Sequence, residues 1–419
     1  MTVLIAGAGI GGLCTALSLH QVGIPCRLFE AVDRIAPLGV GINVLPHAVR
    51  ELTELGLLEA LLSLGIPTER LAYYSRLGQE IWSEPRGREA GYAWPQISVH
   101  RGDLQMLLAR TVTDRLGPDA IATGHALSSW EDRDGRVVAR FADRSGGGPV
   151  EIEGDLLIAA DGIHSAARAA LHPGEGAPIW NGAILWRGTA EAPPFLGGRT
   201  MIMAGHEFQK FVYYPIRDLP DGRQLINFVA ERKFDSDQPW RREDWNRQGR
   251  VEEYLPPFED WTFDWLDVPG LIRSAATVYE YPMVDRDPLA AWSHGRMTLL
   301  GDAAHPMYPI GSNGASQAIL DARVLTRELL THGLTAEALN AYEAERLPAT
   351  AKIVTANRGN GPEQVMQMVE ERAPDGFERI DEVLSVEERE GTAAAYKRLA
   401  GFDKDALNAR PPIVPGAAA

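Results

Sequence analysis

The chain opens on an uncharged apolar run, residues 2–6, breaks at Gly7, and resumes as a helix-period apolar stretch over residues 13–22. A short run without charge is the pattern of a strand buried on both faces. The first thirty residues therefore read as strand, turn, helix and a second strand over 25–30, ending on Glu30. Helices are predicted at 46–55, on to residue 64, and at 104–115. Two short alternating stretches, 71–74 and 80–83, flank Leu77-Gly78 as a hairpin that leaves this unit. Strands are expected at 121–124, 127–132 and 137–141, with the last two turned by Asp134-Gly135, and a single buried strand at 153–160.

From residue 179 the pattern becomes β-rich and aromatic, with strands at 183–190, 200–204, 210–216 and 224–230. Trp180, Trp186, Phe211, Tyr213, Tyr214, Phe228, Trp240, Trp245, Trp261 and Trp265 concentrate there. Most of these rings are expected to pack a core, and a few to face a flat ligand. A buried strand at 296–300 and long helices at 316–330 and 339–357 return to the first texture. Weaker helical patterns follow at 362–372 and 387–399, and the proline-rich end from residue 411 is expected to fray. The organisation read from this order is α/β. A nucleotide domain occupies 1–178, with its hairpin near 70–97 reaching out, and resumes at 283–358; a β-rich domain, 179–282, is inserted, and a helical segment follows at 359–419.

Between the first strand and helix stands Gly7-Ala8-Gly9-Ile10-Gly11-Gly12, a full G-x-G-x-x-G. Its first glycine allows the turn, its second lets a pyrophosphate approach the backbone, and its third lets helix and strand pack closely. The phosphates would sit at the helix N-terminus. Glu30 stands where a carboxylate takes ribose hydroxyls. The motif specifies a dinucleotide without choosing between NAD and FAD.

Composition narrows the partners. The net charge of −16, without a basic run, argues against nucleic acid and anionic membranes. No apolar run approaches a membrane span, the N-terminus enters a strand directly, and the protein is expected to be cytoplasmic, as a monomer or homodimer. Cys14 and Cys26 are read as packing residues, and no metal-ligand cluster is recognisable.

Three strand ends far apart in the chain carry glycine or acid chemistry: Gly7 to Gly12, Asp161-Gly162 with Ser165 and Arg168, and Gly301-Asp302-Ala303-Ala304-His305. Together with His100-Arg101-x-x-Leu104 they resemble the FAD-dependent aromatic hydroxylases, the single-component flavoprotein monooxygenases. The resemblance covers residue 2 to about 348. Tyr281 to Leu289, Met307 to Asp321 and Trp82-Ser83-Glu84-Pro85-Arg86-Gly87 are similar to the phenazine branch, that of the 5-methylphenazine-1-carboxylate 1-monooxygenases. The resemblance implies a Rossmann-type, glutathione-reductase-like FAD domain. It also implies hydroxylation of an aromatic substrate with NADH or NADPH and O₂, through a flavin C4a-hydroperoxide.

Residue by residue, it implies that Gly7, Gly9, Ile10, Gly11, Gly12, Leu13, Glu30 and Ala31 bind the ADP half of FAD. Arg101 would reach the pyrophosphate and Asp302 the ribitol or ribose, and Gln105 would also bind the cofactor. Val40, Gly41, Leu127 and Asp161 would line the cofactor, with the amides of Gly314, Ala315 and Ser316 on the pyrimidine edge. Pro309 and Gly311 are assigned to the reacting side of the ring. Gly39, Gly41, Gly311 and Gly314 are expected to give the loops room for the ring to move. His305 is read as structural. The inserted sheet supplies the substrate candidates Trp186, Arg187, Tyr213, Phe228, Tyr281 and Met283, with Arg187 a possible anion partner. Rival readings are an NAD-dependent dehydrogenase using Gly7 to Gly12 alone, a flavin halogenase, and a non-catalytic flavin-binding protein.

Overall fold

The uncharged N-terminal run forms an interior strand of a six-stranded sheet, in the order Ser293–His294, Met297–Leu299, Leu156–Ala159, Val3–Ala6, Cys26–Phe29, Ile121–Ala122. All neighbours are parallel except the first pair. Val3 to Ala6 and Leu156 to Ala159 are buried along their whole length, as strands covered on both faces must be. The structure, a computed structural model, describes residues 1–143, 148–234 and 247–416; Trp240 and Trp245 lie outside the described residues.

The strand expected at 153–160 is two strands. Val150–Gly154 alternates exposed and half-buried positions and pairs antiparallel in a three-stranded sheet with Arg136–Asp143, whose other neighbour is His125–Arg133. The chain crosses to the parallel sheet at Gly154, where a Cβ would stand 2.6 Å from Leu4 Cγ, and Asp155 accepts from the Thr2 amide at 2.5 Å. The first helix, Ile10–Gln21, begins three residues earlier than the apolar pattern, so Gly11 and Gly12 form its opening turn.

The insert is a seven-stranded sheet: Val278–Asp285, Ile179–Ala192, Gln224–Lys233, Gln209–Asp218, Thr200–His206, Arg70–Tyr74, Glu80–Pro85. The hairpin from the nucleotide domain supplies the last two strands. Alternation divides its side chains cleanly. One face carries Trp186, Phe211, Tyr213 and Phe228, covered by Tyr254, Phe258, Trp261 and the helix Val268–Ser274. The other carries Leu185, Met201, Met203, Val212, Tyr214 and Met283, which pack with Tyr308 and Ile310.

The C-terminal segment forms helices Gln364–Arg372, Val386–Leu399 and Lys404–Ala409. Val365, Met366 and Val369 join the second sheet face, while Tyr396, Phe402 and Leu407 pack with Leu45, Tyr92 and Ile353. A buried Lys210, held by Glu231 at 3.1 Å and Glu363 at 2.5 Å, ties this segment to the sheet. The chain end does not fray where described: Val414 is fully buried and Ile413 packs on the main core. Two apolar side chains here gain more from burial than the fixed prolines lose in entropy.

Candidate active site

The glycine loop divides its residues between two tasks. Gly7, at φ +100°, would drive a Cβ into the Ala160 carbonyl. A Cβ on Gly12 would overlap the Gly7 carbonyl, and one on Gly11 would stand 2.8 Å from Leu300 Cδ2. These three serve the protein's own packing. Gly9 is different: nothing lies within 4 Å of its Cβ position, and no side chain caps the helix that it starts. Its free space stands at the positive end of a 12-residue helix, where a phosphate is stabilised.

Around this opening the predicted residues are brought together. Glu30 accepts from the Ala8 amide at 2.7 Å and the Val32 amide at 3.0 Å, which fixes its carboxylate beside Ala31. Gln105 Nε2 donates to the Ala8 carbonyl at 2.9 Å. The Arg101 amide donates to the Val40 carbonyl at 2.9 Å, and the Arg101 side chain crosses Gly39, whose Cβ would stand 3.6 Å from Cδ. Asp302, in the turn Gly301–Ala303, is exposed to solvent although protein stands around it. Burial raises its pKa, against the pull of His305 and Arg101. Ile10, Leu13, Val40 and Leu127 are buried, and Ile10, Leu13 and Leu127 lie in the main core.

The second fingerprint is bound to the third. Asp161 Oδ2 accepts from the Ala166 amide at 2.8 Å while its buried Oδ1 has no partner, and burial raises its pKa. Ser165 caps the short helix Ala166–Leu171. Arg168, 1% exposed, reaches the carbonyls of Ala303 at 3.1 Å and Ala304 at 2.8 Å. It thereby locks the Asp161 turn to the Asp302 turn.

Pro309 is exposed at the start of the turn that leads into the 19-residue helix Gly314–His332. No side chain caps that helix, which leaves the amides of Gly314 and Ala315 at a positive helix end. Ser316 Oγ accepts from the Leu45 amide at 3.2 Å. Beneath the turn runs a polar chain: His305 Nε2 lies 2.5 Å from Asp321 Oδ2, Arg346 Nε donates to Asp321 Oδ1 at 2.7 Å, and Arg346 Nη2 donates to Gln317 Oε1 at 2.6 Å. Burial pushes the Asp321 carboxyl up, yet His305 and Arg346 more than offset it and hold it below its usual value. His305 is committed to this scaffold.

From the insert, three side chains converge on Gly41. Its amide donates to Asn227 Oδ1 at 2.7 Å, and its carbonyl accepts from Arg187 Nη2 and from Tyr214 Oη, each at 2.7 Å. Arg187 Nε and Asn227 Nδ2 remain buried without partners. The glycines expected to give these loops freedom are partly filled instead: a Cβ on Gly41 would meet Asn227 Cβ at 2.6 Å, and one on Gly311 would overlap the Tyr396 hydroxyl. Gly41 and Gly311 thus permit close packing, whereas nothing lies within 4 Å of the Cβ position of Gly314 and Gly39 meets only the Arg101 side chain at 3.6 Å.

The six substrate candidates separate by strand parity. Arg187, Tyr281 and Met283 lie on the sheet face that meets Tyr308 and Ile310; Tyr281 pairs with Leu185 and stacks on Tyr279, which pairs with Arg187. Trp186, Tyr213 and Phe228 point to the opposite face, under the 254–272 cover, where Trp186 stacks on Tyr254 at 5.7 Å. Trp186, Tyr213 and Phe228 are therefore packed away from Tyr308 and Ile310, whereas Met201, Met203 and Tyr214 share the face that meets them. Asn227, Asn313, Gln317, Asn357 and Tyr396 also had no place in the sequence reading. Of these, only Asn313 and Gln317 stood inside a recognised motif.

The open space at Gly9, the two uncapped helix ends and the accessible acid at Asp302 fit FAD. The comparisons agree. A family model described as FAD binding domain matches residues 1–180 and 280–357. The chain is 47% identical over 361 residues to a phenazine 1,6-dicarboxylic acid hydroxylase of Lysobacter antibioticus, covering 85% of this chain and 89% of that protein. It is 31% identical to a 6-hydroxynicotinate 3-monooxygenase of Pseudomonas fluorescens, covering 85% and 90%. The structure of Klebsiella pneumoniae HpxO with FAD and uric acid superposes with a TM-score of 0.72 at 25% identity, over 98% of this chain and 97% of that one. The chain belongs to this FAD-binding family, and within it to the FAD-dependent aromatic monooxygenases.

Proposed function

We propose that the chain hydroxylates a flat, fused-ring aromatic acid or phenol of phenazine type, consuming NADH or NADPH and O₂. The observation that carries this reading is the inner sheet face. Leu185, Met201, Met203, Val212 and Met283 cluster with Tyr308 and Ile310, next to exposed Pro309. A ring in front of Pro309 would meet thioethers and aliphatic groups over a broad surface. Thioethers contact ring edges favourably and adapt to irregular outlines. The relative that acts on a phenazine dicarboxylic acid supports the fused-ring size.

Bound FAD supplies the redox chemistry and activates oxygen. The chain's own part is to hold, orient and exclude water. Gly9 leaves room for the pyrophosphate, while Glu30 and Asp302 accept hydrogen bonds from sugar hydroxyls. The amides of Gly314 and Ala315 stabilise negative charge on the pyrimidine edge. Leu185, Met203 and Ile310 keep water from the reacting face. Arg187 holds Gly41 with Nη2 and keeps the Nε–H for an anionic substituent of the substrate. His305, bonded to Asp321, takes no proton in this scheme.

The test is a panel of phenazine and single-ring aromatic acids and phenols, followed by NADH and NADPH consumption and product mass. Stimulated consumption with a fused-ring product heavier by one oxygen supports the proposal. Turnover of single-ring acids alone would overturn the substrate class, and a protein that purifies without flavin would overturn the cofactor role.

A further inference from the structure

The C-terminal segment places one side chain against the Pro309 turn. Tyr396, on Val386–Leu399, has its ring between Gly311 at φ +67° and Gly361 at φ +47°. A Cβ on Gly311 would stand 2.5 Å from Tyr396 Cε1, and one on Gly361 3.0 Å from Cε2, so only glycines admit the ring from both sides. Its hydroxyl accepts from Asn313 Nδ2 at 2.9 Å and donates to Asn357 Oδ1 at 2.8 Å, with the Ile310 carbonyl a second acceptor at 3.2 Å. Asn357 Nδ2 then donates to the Tyr308 carbonyl at 3.1 Å, and Asn313 Nδ2 to the Gly311 carbonyl at 3.1 Å. One hydroxyl thus gathers the turn from residue 308 to residue 313.

The turn needs such a hold. Ser312 is left-handed at φ +57°, a conformation that a residue with a side chain keeps only when its surroundings over-determine it. The next residues are the helix-opening amides that the proposed function puts under the flavin. Asn313 is also joined, through Gln317 at 3.2 Å, to the Arg346–Asp321–His305 chain. Tyr396 closes that chain at the far end from His305.

We infer that Tyr396 is a positioning residue: it fixes, from the C-terminal segment, the turn that presents the Gly314 and Ala315 amides to the pyrimidine edge of FAD. The inference rests on reading this turn as the seat of the flavin ring. The C-terminal segment is then part of the oxygenating unit, although the family match ends at residue 357.

The experiment compares Tyr396→Phe with Tyr92→Phe in the holoenzyme. Tyr92 Oη donates to the Phe402 carbonyl at 2.7 Å, so its loss weakens docking of the same segment without touching the turn. Three readouts are taken: the visible bands and midpoint potential of bound FAD, amide hydrogen exchange over residues 310–315, and the fraction of NADH oxidation that ends as hydrogen peroxide. Tyr396→Phe should retain FAD, shift the potential and bands, raise the peroxide fraction, and speed exchange in the turn about tenfold, as expected for one lost hydrogen bond. Tyr92→Phe should leave bands and potential as in the parent. Unchanged bands, potential and exchange in Tyr396→Phe would overturn the inference, as would the same changes in Tyr92→Phe, which would make them a general effect of loosening the segment. A parent without flavin would overturn the functional reading instead.

Discussion

In the proposed function the free side-chain space at Gly9 belongs to the ligand, so replacing Gly9 would separate cofactor binding from folding. Its backbone sits at φ −72° and ψ 179°, an extended conformation open to any residue, and nothing lies within 4 Å of its Cβ position. Gly9→Ala should therefore leave the flavin-free protein within about 1 kcal/mol of the parent, because a less flexible unfolded chain offsets the poorer helix cap that alanine makes. On this reading the methyl would stand where the pyrophosphate approaches the first turn of Ile10–Gln21. Loss of one charge-assisted hydrogen bond there costs about 1.5 to 3 kcal/mol, roughly 10- to 150-fold in FAD affinity. Gly12→Ala is the contrast, because its Cβ overlaps the Gly7 carbonyl and only backbone movement relieves it. That overpacking should destabilise the flavin-free protein by about 1 to 3 kcal/mol. Thermal unfolding of stripped protein and FAD titration by fluorescence quenching measure both terms. If Gly9→Ala binds FAD like the parent, or melts early as Gly12→Ala does, the phosphate is not held at Gly9.

Asp302→Ala should weaken FAD roughly 10- to 150-fold, as loss of a charge-assisted bond to a sugar hydroxyl, measured by retention through dialysis. Arg187→Met, in protein that keeps its flavin, should raise KM for a carboxylated substrate; an unchanged KM would return Arg187 to holding Gly41 alone. Phe228→Ala should cost about 3 to 5 kcal/mol of stability and leave KM unchanged in the folded fraction, because Phe228 is fully buried on the outer face. Met203→Ala, on the inner face, should move KM instead. His47 is fully buried, and burial, then Arg346 and Arg410, lower its pKa from 6.5 to about 3. Its folded pKa lies below the unfolded value, so the stability of the neutral ring is present above pH 6.5 and is lost as pH falls toward 3. About 2 kcal/mol should be gone by pH 5, and urea titrations of His47→Gln across that range should be flatter.

What was legible in the sequence follows from how local the chemistry is. Gly7, Gly9, Gly12 and Glu30 act within one strand–helix–strand unit, so their spacing alone encodes their geometry. Arg168 was legible as a partner of the Asp161 turn, but its bonds to the Ala303 and Ala304 carbonyls cross 135 and 136 residues. No spacing rule carries such a reach. The end of the chain was misread for a related reason: Val414 is buried by residues that the sequence does not place beside it.

The inserted sheet shows the limit most clearly. Alternation states that Trp186 and Arg187 face opposite ways, but not which of them faces the nucleotide domain. Aromatic content favoured Trp186, Tyr213 and Phe228, yet large rings fill whichever side has the deeper cover. Here that cover is Tyr254, Phe258, Trp261 and the helix Val268–Ser274, on the far side. The pairing of Ile179–Ala192 with Val278–Asp285 also shifts register between Trp180 and Ile184, so parity counted from one end of the strand is no guide to the other. The near side carries Leu185, Met201, Met203 and Met283, packed with Val365, Met366 and Val369 of the C-terminal segment, while Arg187, Tyr214 and Asn227 are held to the single residue Gly41. In the proposed function a flat substrate would need a flat, adaptable wall more than partner rings. The residues of this face carry no motif because each is interchangeable with another apolar side chain of similar volume, and only their shared face sets them together.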